Sequence, residues 1–173
     1  MIQVLPKFQF VSVITALTLV NVSLFTVTLS IGGVDESDLL ACTTDALVTM
    51  GAKVPYLMRY ESQVWRFATP MFLHVNLPHL LVNSLTLLVI GQSLEYDLGW
   101  AKFLALYLLA GMGGILFSAM CNDTLSAGAS TAIFGLIGSY IACLIINWSY
   151  FKNHSGQRTR ILIFLLFSVL IGL

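Results

Sequence analysis

Four polar side chains stand where an apolar chain has least use for them. His74, His79 and Asn83 fall inside or at the edge of one hydrophobic stretch, and Ser130 opens another, within the run Ala127-Gly128-Ala129-Ser130-Thr131-Ala132. A serine hydroxyl becomes a nucleophile when a base takes its proton, and imidazole or amide groups can donate hydrogen bonds to the oxyanion that develops beside it. At a helix N-terminus, unpaired backbone N–H groups and the positive end of the helix dipole would favour the same charge. Serine is also a common helix cap, and Gly, Ala and Ser line tight interfaces between membrane helices. Ser130 by itself is thus a weak signal, and the neighbouring polar cluster must decide.

Pro78 suits the first turn of a helix, where its missing N–H would be unpaired anyway, and sets a helix start near it. His79 and Asn83, four residues apart, then project from one face, with His74 just upstream where the chain enters the helix. Intramembrane polar clusters default to functional hypotheses because they are costly to insert. Two histidines and an asparagine could in principle ligate a metal, but no carboxylate or thiolate completes a set, so neither metal nor cofactor is expected. Cys42, Cys121 and Cys143 lack the spacing of a zinc site or a disulfide scaffold. Unpaired thiols are expected at Cys42 and Cys121, with a bridge between them in an oxidising compartment as the alternative, and Cys143 is expected to face lipid or pack in the core.

The elements that must position these groups are membrane helices. The chain has 173 residues, 58% hydrophobic and 9% charged, with a mean hydropathy of +0.91, too little polar surface for a soluble globule. Spanning the hydrocarbon takes about 20 residues, and Phe8 to Ile31, Met71 to Leu94, Trp100 to Met120 and Ser130 to Trp148 each approach that. A fifth stretch from Ile161 reaches only to Leu173, which predicts a partial span and a chain truncated at its C-terminus. Phe8 to Ile31 is too long an apolar run for a typical signal peptide, so a retained anchor is expected. The zero net charge offers no basic patch for nucleic acid. Lys7, Lys102, Lys152, Arg158 and Arg160 fall on one side of the membrane, predicted cytoplasmic, and Lys53, Arg59 and Arg66 on the other. The latter lie in a connection from Gly32 to Pro70, where Val54, Tyr56, Leu57, Met58, Tyr60, Val64, Trp65 and Phe67 predict a segment in the membrane interface. No half-to-half symmetry of the kind many transporters carry is visible.

Taken together, Trp65-Arg66, Thr69-Pro70-Met71-Phe72-Leu73-His74, His79 and Asn83, Gly91 with Glu95, Tyr107 with Gly111 and Gly114, and Gly128-Ala129-Ser130 resemble the rhomboid intramembrane serine proteases in order and spacing. The likeness runs from about Leu47 to Tyr140. It implies an all-α, polytopic bundle in one domain, residues 1–173, of which four full spans and part of a fifth are present. On that mapping Ser130 is the catalytic nucleophile, and His79 and Asn83 are implied to help the Ser130 backbone N–H hold the oxyanion. The resemblance further implies that Trp65 and Arg66 are structural parts of the first loop, that Glu95 is a structural carboxylate near the inner end of the second helix, and that the base is a histidine on a sixth helix.

Two departures stand out. Thr131 follows the nucleophile where most relatives carry glycine, which bears on the shape of the cleft because a β-branched residue restricts the first turn. No sixth helix precedes Leu173, and His154 would sit about 30 Å from Ser130 across the bilayer. The expected function is hydrolysis of a peptide bond in or near the transmembrane segment of single-span membrane proteins, with the present chain inactive by itself. A non-catalytic relative that binds transmembrane clients is the alternative, and a channel or transporter stands third. Asn122-Asp123-Thr124 forms a glycosylation acceptor pattern, which, with the retained anchor, favours the secretory pathway or plasma membrane over the mitochondrial inner membrane.

Overall fold

The computed structural model describes residues 12–36 and 38–149, together with Thr159, Leu162 and Leu166. Lys7, Lys152, His154, Arg158, Arg160 and, apart from Leu162 and Leu166, the fifth stretch lie outside the described residues. Helices α1 (Val13–Gly32), α4 (Leu77–Leu98) and α5 (Trp100–Cys121) are each long and apolar enough to cross a bilayer. A fourth, α6 (Ser130–Ile146), has 17 residues, the lower limit of about 17 for a span. The chain is an integral membrane helix bundle, as its composition predicts.

The span limits move where capping chemistry overrides hydropathy. The second span starts at Leu77 and not at Met71, because Asn76 Oδ1 accepts the His79 N–H at 2.9 Å and Pro78 occupies the first turn. Met71 and Phe72 belong instead to a short 3-10 turn, Thr69–Phe72. Ser12 Oγ accepts the Thr15 N–H and starts α1. The last described span ends at Ile146, where the Asn147 side-chain amide turns back to the Cys143 carbonyl.

Between α1 and α4 the chain folds a cap of its own. Strands β1 (Val34–Asp35) and β2 (Ala41–Cys42) form a two-residue antiparallel ladder. Helices α2 (Thr44–Met50) and α3 (Pro55–Tyr60) follow, then 3-10 turns over Val64–Phe67 and Thr69–Phe72. Phe25, Cys42, Leu47, Ala52, Leu73 and Leu80 form a small core that joins this cap to the outer ends of α1 and α4. The apolar row read as interfacial divides by helical turn: Tyr56, Tyr60, Val64 and Trp65 lie exposed on the outer surface, and Met58 turns into the main core. All three cysteines are free thiols, with Cys42 buried.

Buried cations staple the cap to the bundle. Lys53 is fully buried, and its Nζ donates to Ser118 Oγ and Asn122 Oδ1, both at 2.8 Å. Its backbone exchanges hydrogen bonds with Ser126. The buried Arg66 donates through Nε to Gln63 Oε1 and through Nη1 to the Ala52 carbonyl, each at 2.7 Å. Arg59 pairs with Asp123 at 3.0 Å in the open and also reaches the Ala119 carbonyl. At the opposite end of the bundle, the Glu95 carboxylate accepts the Val13 N–H at 2.9 Å and the Ile14 N–H at 3.2 Å. A carboxylate there satisfies orphan donors and complements the dipole of α1.

Small residues set the spacing of α5 and α6. A Cβ on Gly135 would stand 2.2 Å from the Ala110 Cβ, one on Gly111 would meet Met71 and Ala132, and one on Gly114 would meet Thr131. Gly138 on α6 has open space around it. Gly135→Ala is therefore expected to cost about 1–3 kcal/mol through overpacking, and Gly138→Ala to be neutral or slightly stabilising; unfolding midpoints in detergent read the difference. Lys53→Ala is expected to cost about 1–3 kcal/mol, because it removes two charge-assisted hydrogen bonds and empties a fully buried place under the cap. By the same measurement Arg59→Ala should cost less than about 1 kcal/mol, its partner being solvent-exposed.

Candidate active site

The run around Ser130 takes its shape from one glycine. Gly128 has φ +148°, and its N–H donates to the Pro70 carbonyl at 2.8 Å. A Cβ there would lie 2.6 Å from His79 Cε1, 2.9 Å from His79 Nε2 and 3.6 Å from Ser130 Oγ. Only glycine lets the chain pass this close to the imidazole. Ala129 then takes the cap position and α6 begins at Ser130. The first intrahelical bond runs from the Ile133 N–H to the Ala129 carbonyl, and no side chain caps this end of the helix. The N–H groups of its first turn are the donors that a helix start leaves for a ligand.

The imidazole and amide groups come from the first turns of α4. The Asn76 cap holds the His79 backbone, and Asn76 in turn donates from Nδ2 to Asp38 Oδ2. His79 lies part-buried, its Nδ1 without a partner among the described residues. Asn83, one turn along and buried, donates from Nδ2 to the His79 carbonyl at 2.9 Å, so its side-chain oxygen points away from that bond. Ser130 Oγ and His79 Nε2 thus both border the space that a Gly128 side chain would fill, and Asn83 sits a turn along on the His79 face. Among the described residues no hydrogen bond joins Ser130 to either side chain.

His74, just upstream, is buried in the cap, its ring packed edge-on against His79 with centroids 5.3 Å apart. Neither ring nitrogen has a well-formed partner among the described residues. Burial, reinforced by the His79 ring, pushes the His74 imidazole down to about 3, with the Phe72 carbonyl pulling weakly the other way. His74 is therefore neutral at ordinary pH. Thr131 turns away from the run toward Gly114 on α5, which gives a β-branched residue a place beside the serine. A groove lined by Ser12, Val13, Glu95, Tyr96 and Trp100 lies at the other end of the bundle, where the Glu95 carboxylate is already engaged by α1.

Sequence reasoning did not single out Asn76, Lys53 or Asp38. Asn76 carried a usable signal, an Asn two residues before a proline at a helix start. Lys53 carried none, because nothing in a lone lysine marks it as buried. Asn122 has its carbonyl oxygen taken by Lys53 Nζ, Thr124 N and Thr124 Oγ1, a structural use of the acceptor pattern that its three letters do not disclose.

The chain that carries these residues is similar in sequence to known proteins. The Rhomboid domain family model matches residues 61–173. Rhomboid-like protease 2 of Toxoplasma gondii is 33% identical over 165 residues, 94% of this chain and 57% of that protein. Rhomboid-like protease 1 of the same organism is 35% identical over 169 residues, 96% and 56% respectively, and RHOMBOID-like protein 1 of Arabidopsis thaliana is 32% identical over 139 residues, 80% and 36%. The chain spans about half, or less, of the length of these relatives. With the family model covering more than half of the chain, the chain belongs to the rhomboid family.

Proposed function

We propose that residues 1–173 form the serine-bearing part of a single membrane domain in an intramembrane serine endopeptidase. Its substrates are single-span membrane proteins, cut in or near the transmembrane segment. Ser130 Oγ attacks the scissile carbonyl carbon and its proton passes to an imidazole outside the described residues. The oxyanion is held by the Ser130 N–H with help from His79 and Asn83, the imidazole gives the proton to the leaving amine, and it then takes a proton from the water that resolves the acyl-enzyme and returns it to Ser130 Oγ. What supports the reading is that Ser130 Oγ and the His79 ring border the same space beside Gly128 in a chain of this family.

A neutral His74 against His79 limits the ring's freedom without placing a positive charge beside it. Membranes of the secretory pathway or the cell surface are the proposed location. In the full reading frame, co-expressed with a single-span reporter substrate, Ser130→Ala is expected to abolish cleavage and Thr131→Ala to retain it. Cleavage that survives Ser130→Ala would reject the nucleophile. Residues 1–173 expressed by themselves are expected to leave the reporter intact, and cleavage by them would move the base onto His79. Gly128→Ala is expected to lower kcat about 100-fold or more, since a Cβ drives into the His79 ring and a misplaced group of about 1 Å costs that much; single-turnover rates measure it.

A further inference from the structure

Nine buried side-chain polar atoms have no hydrogen-bond partner among the described residues, and they fall into two groups. His74, His79 and Thr131 belong to the neighbourhood of Ser130. The other five atoms, Thr18 Oγ1, both amide atoms of Asn21, Ser84 Oγ and Tyr107 Oη, come from α1, α4 and α5. Asn21 and Tyr107 are fully buried.

Helix register brings these residues to one level. α1 and α4 run antiparallel, with Glu95 on the N-terminus of α1 and Gly91 against Ile14. Further up, Phe25 and Leu80 share the small outer core, and equal steps along each helix separate the two pairs. Asn21 and Ser84 each stand two turns above the Ile14–Gly91 level, so they oppose each other about 10 Å along the axis from it. Phe103 of α5 also packs on Gly91, and Tyr107 lies one turn above Phe103 on the same side. The Tyr107 hydroxyl faces the Asn21 side chain without closing a well-formed hydrogen bond.

We propose that Asn21, Ser84 and Tyr107, with Thr18 at the edge, bind ordered water inside the bundle, at a site shared by α1, α4 and α5. Polar groups in a bilayer interior need partners. Buried groups that face one another without closing a well-formed bond are a setting in which a water bridges, and a buried water typically makes about three such bonds. Asn21 offers two donors and an acceptor, and the two hydroxyls offer one donor each plus lone pairs. The bridged site fixes the rotation of α1, because any turn of the helix would carry Asn21 into hydrocarbon. This proposal stands apart from the peptidase reading and uses none of its residues.

The test is water-edited solid-state NMR on the uniformly labelled chain in lipid bilayers. Polarisation from water should reach Asn21 Nδ2 several-fold faster than the backbone amides of Leu87 and Ile90, which are fully buried, and Tyr107→Phe should abolish that advantage. Thermal midpoints should drop for Tyr107→Phe and for Ser84→Ala, and the double variant should drop by less than the two together, since both lose the same water. These variants each remove one oxygen and keep the test available if Asn21→Leu fails to fold. Transfer to Asn21 as slow as to Leu87, additive midpoint losses, or cross-peaks placing another side chain directly on the Asn21 amide would overturn the proposal.

Discussion

Everything at the Ser130 end depends on how closely the backbone of α6 approaches that of α5. The contact is made by what is missing: Gly135 accommodates Ala110, Gly111 accommodates Ala132 and Met71, and Gly114 accommodates Thr131. Lipid tails are as apolar as leucine, so membrane helices gain little from hiding hydrophobic surface and associate through close packing. That packing fixes the height and rotation of α6, and so the place where its first turn starts. A serine at that start inherits its position from three glycines that never touch it.

A second constraint comes from the loop. Irregular backbone at the rim of a bilayer is stable only where its polar groups are satisfied by protein or water. The cap meets this with polar side chains: Lys53 turns inward to α5 and the turn after it, Arg66 to Ala52, and Asn76 bonds Asp38 at the surface. These bonds hold the entry to α4, and through Asn76 they hold the His79 backbone. The imidazole and the hydroxyl are thus located by separate devices, one polar and one steric, that meet at Gly128.

The sequence made the spans legible because a 20-residue apolar run has few other uses, and Pro78 disclosed the start of α4. It also disclosed that His79 and Asn83 share a face, since helical spacing alone decides that. The serine's surroundings were not legible in the same way, because the closeness of Gly128 to His79 arises from segments far apart in the chain. Hydropathy placed the second span too early, at Met71, because a window average cannot see that Asn76 caps a helix six residues downstream. Asn21 passed unnoticed, its polarity diluted by the apolar residues around it, although a fully buried asparagine in a span is costly enough to need an account. Glu95 was read as structural from resemblance, and its partner, the start of α1, was invisible because it lies 82 residues away along the chain.

That last separation bears on biogenesis. During synthesis α1 precedes α4, so the carboxylate that receives its leading amides arrives only when the chain has been made to the far end of α4. This end of α1 can therefore lock onto its partner only after the whole of α4 has been made, while α5 and α6 are still to come.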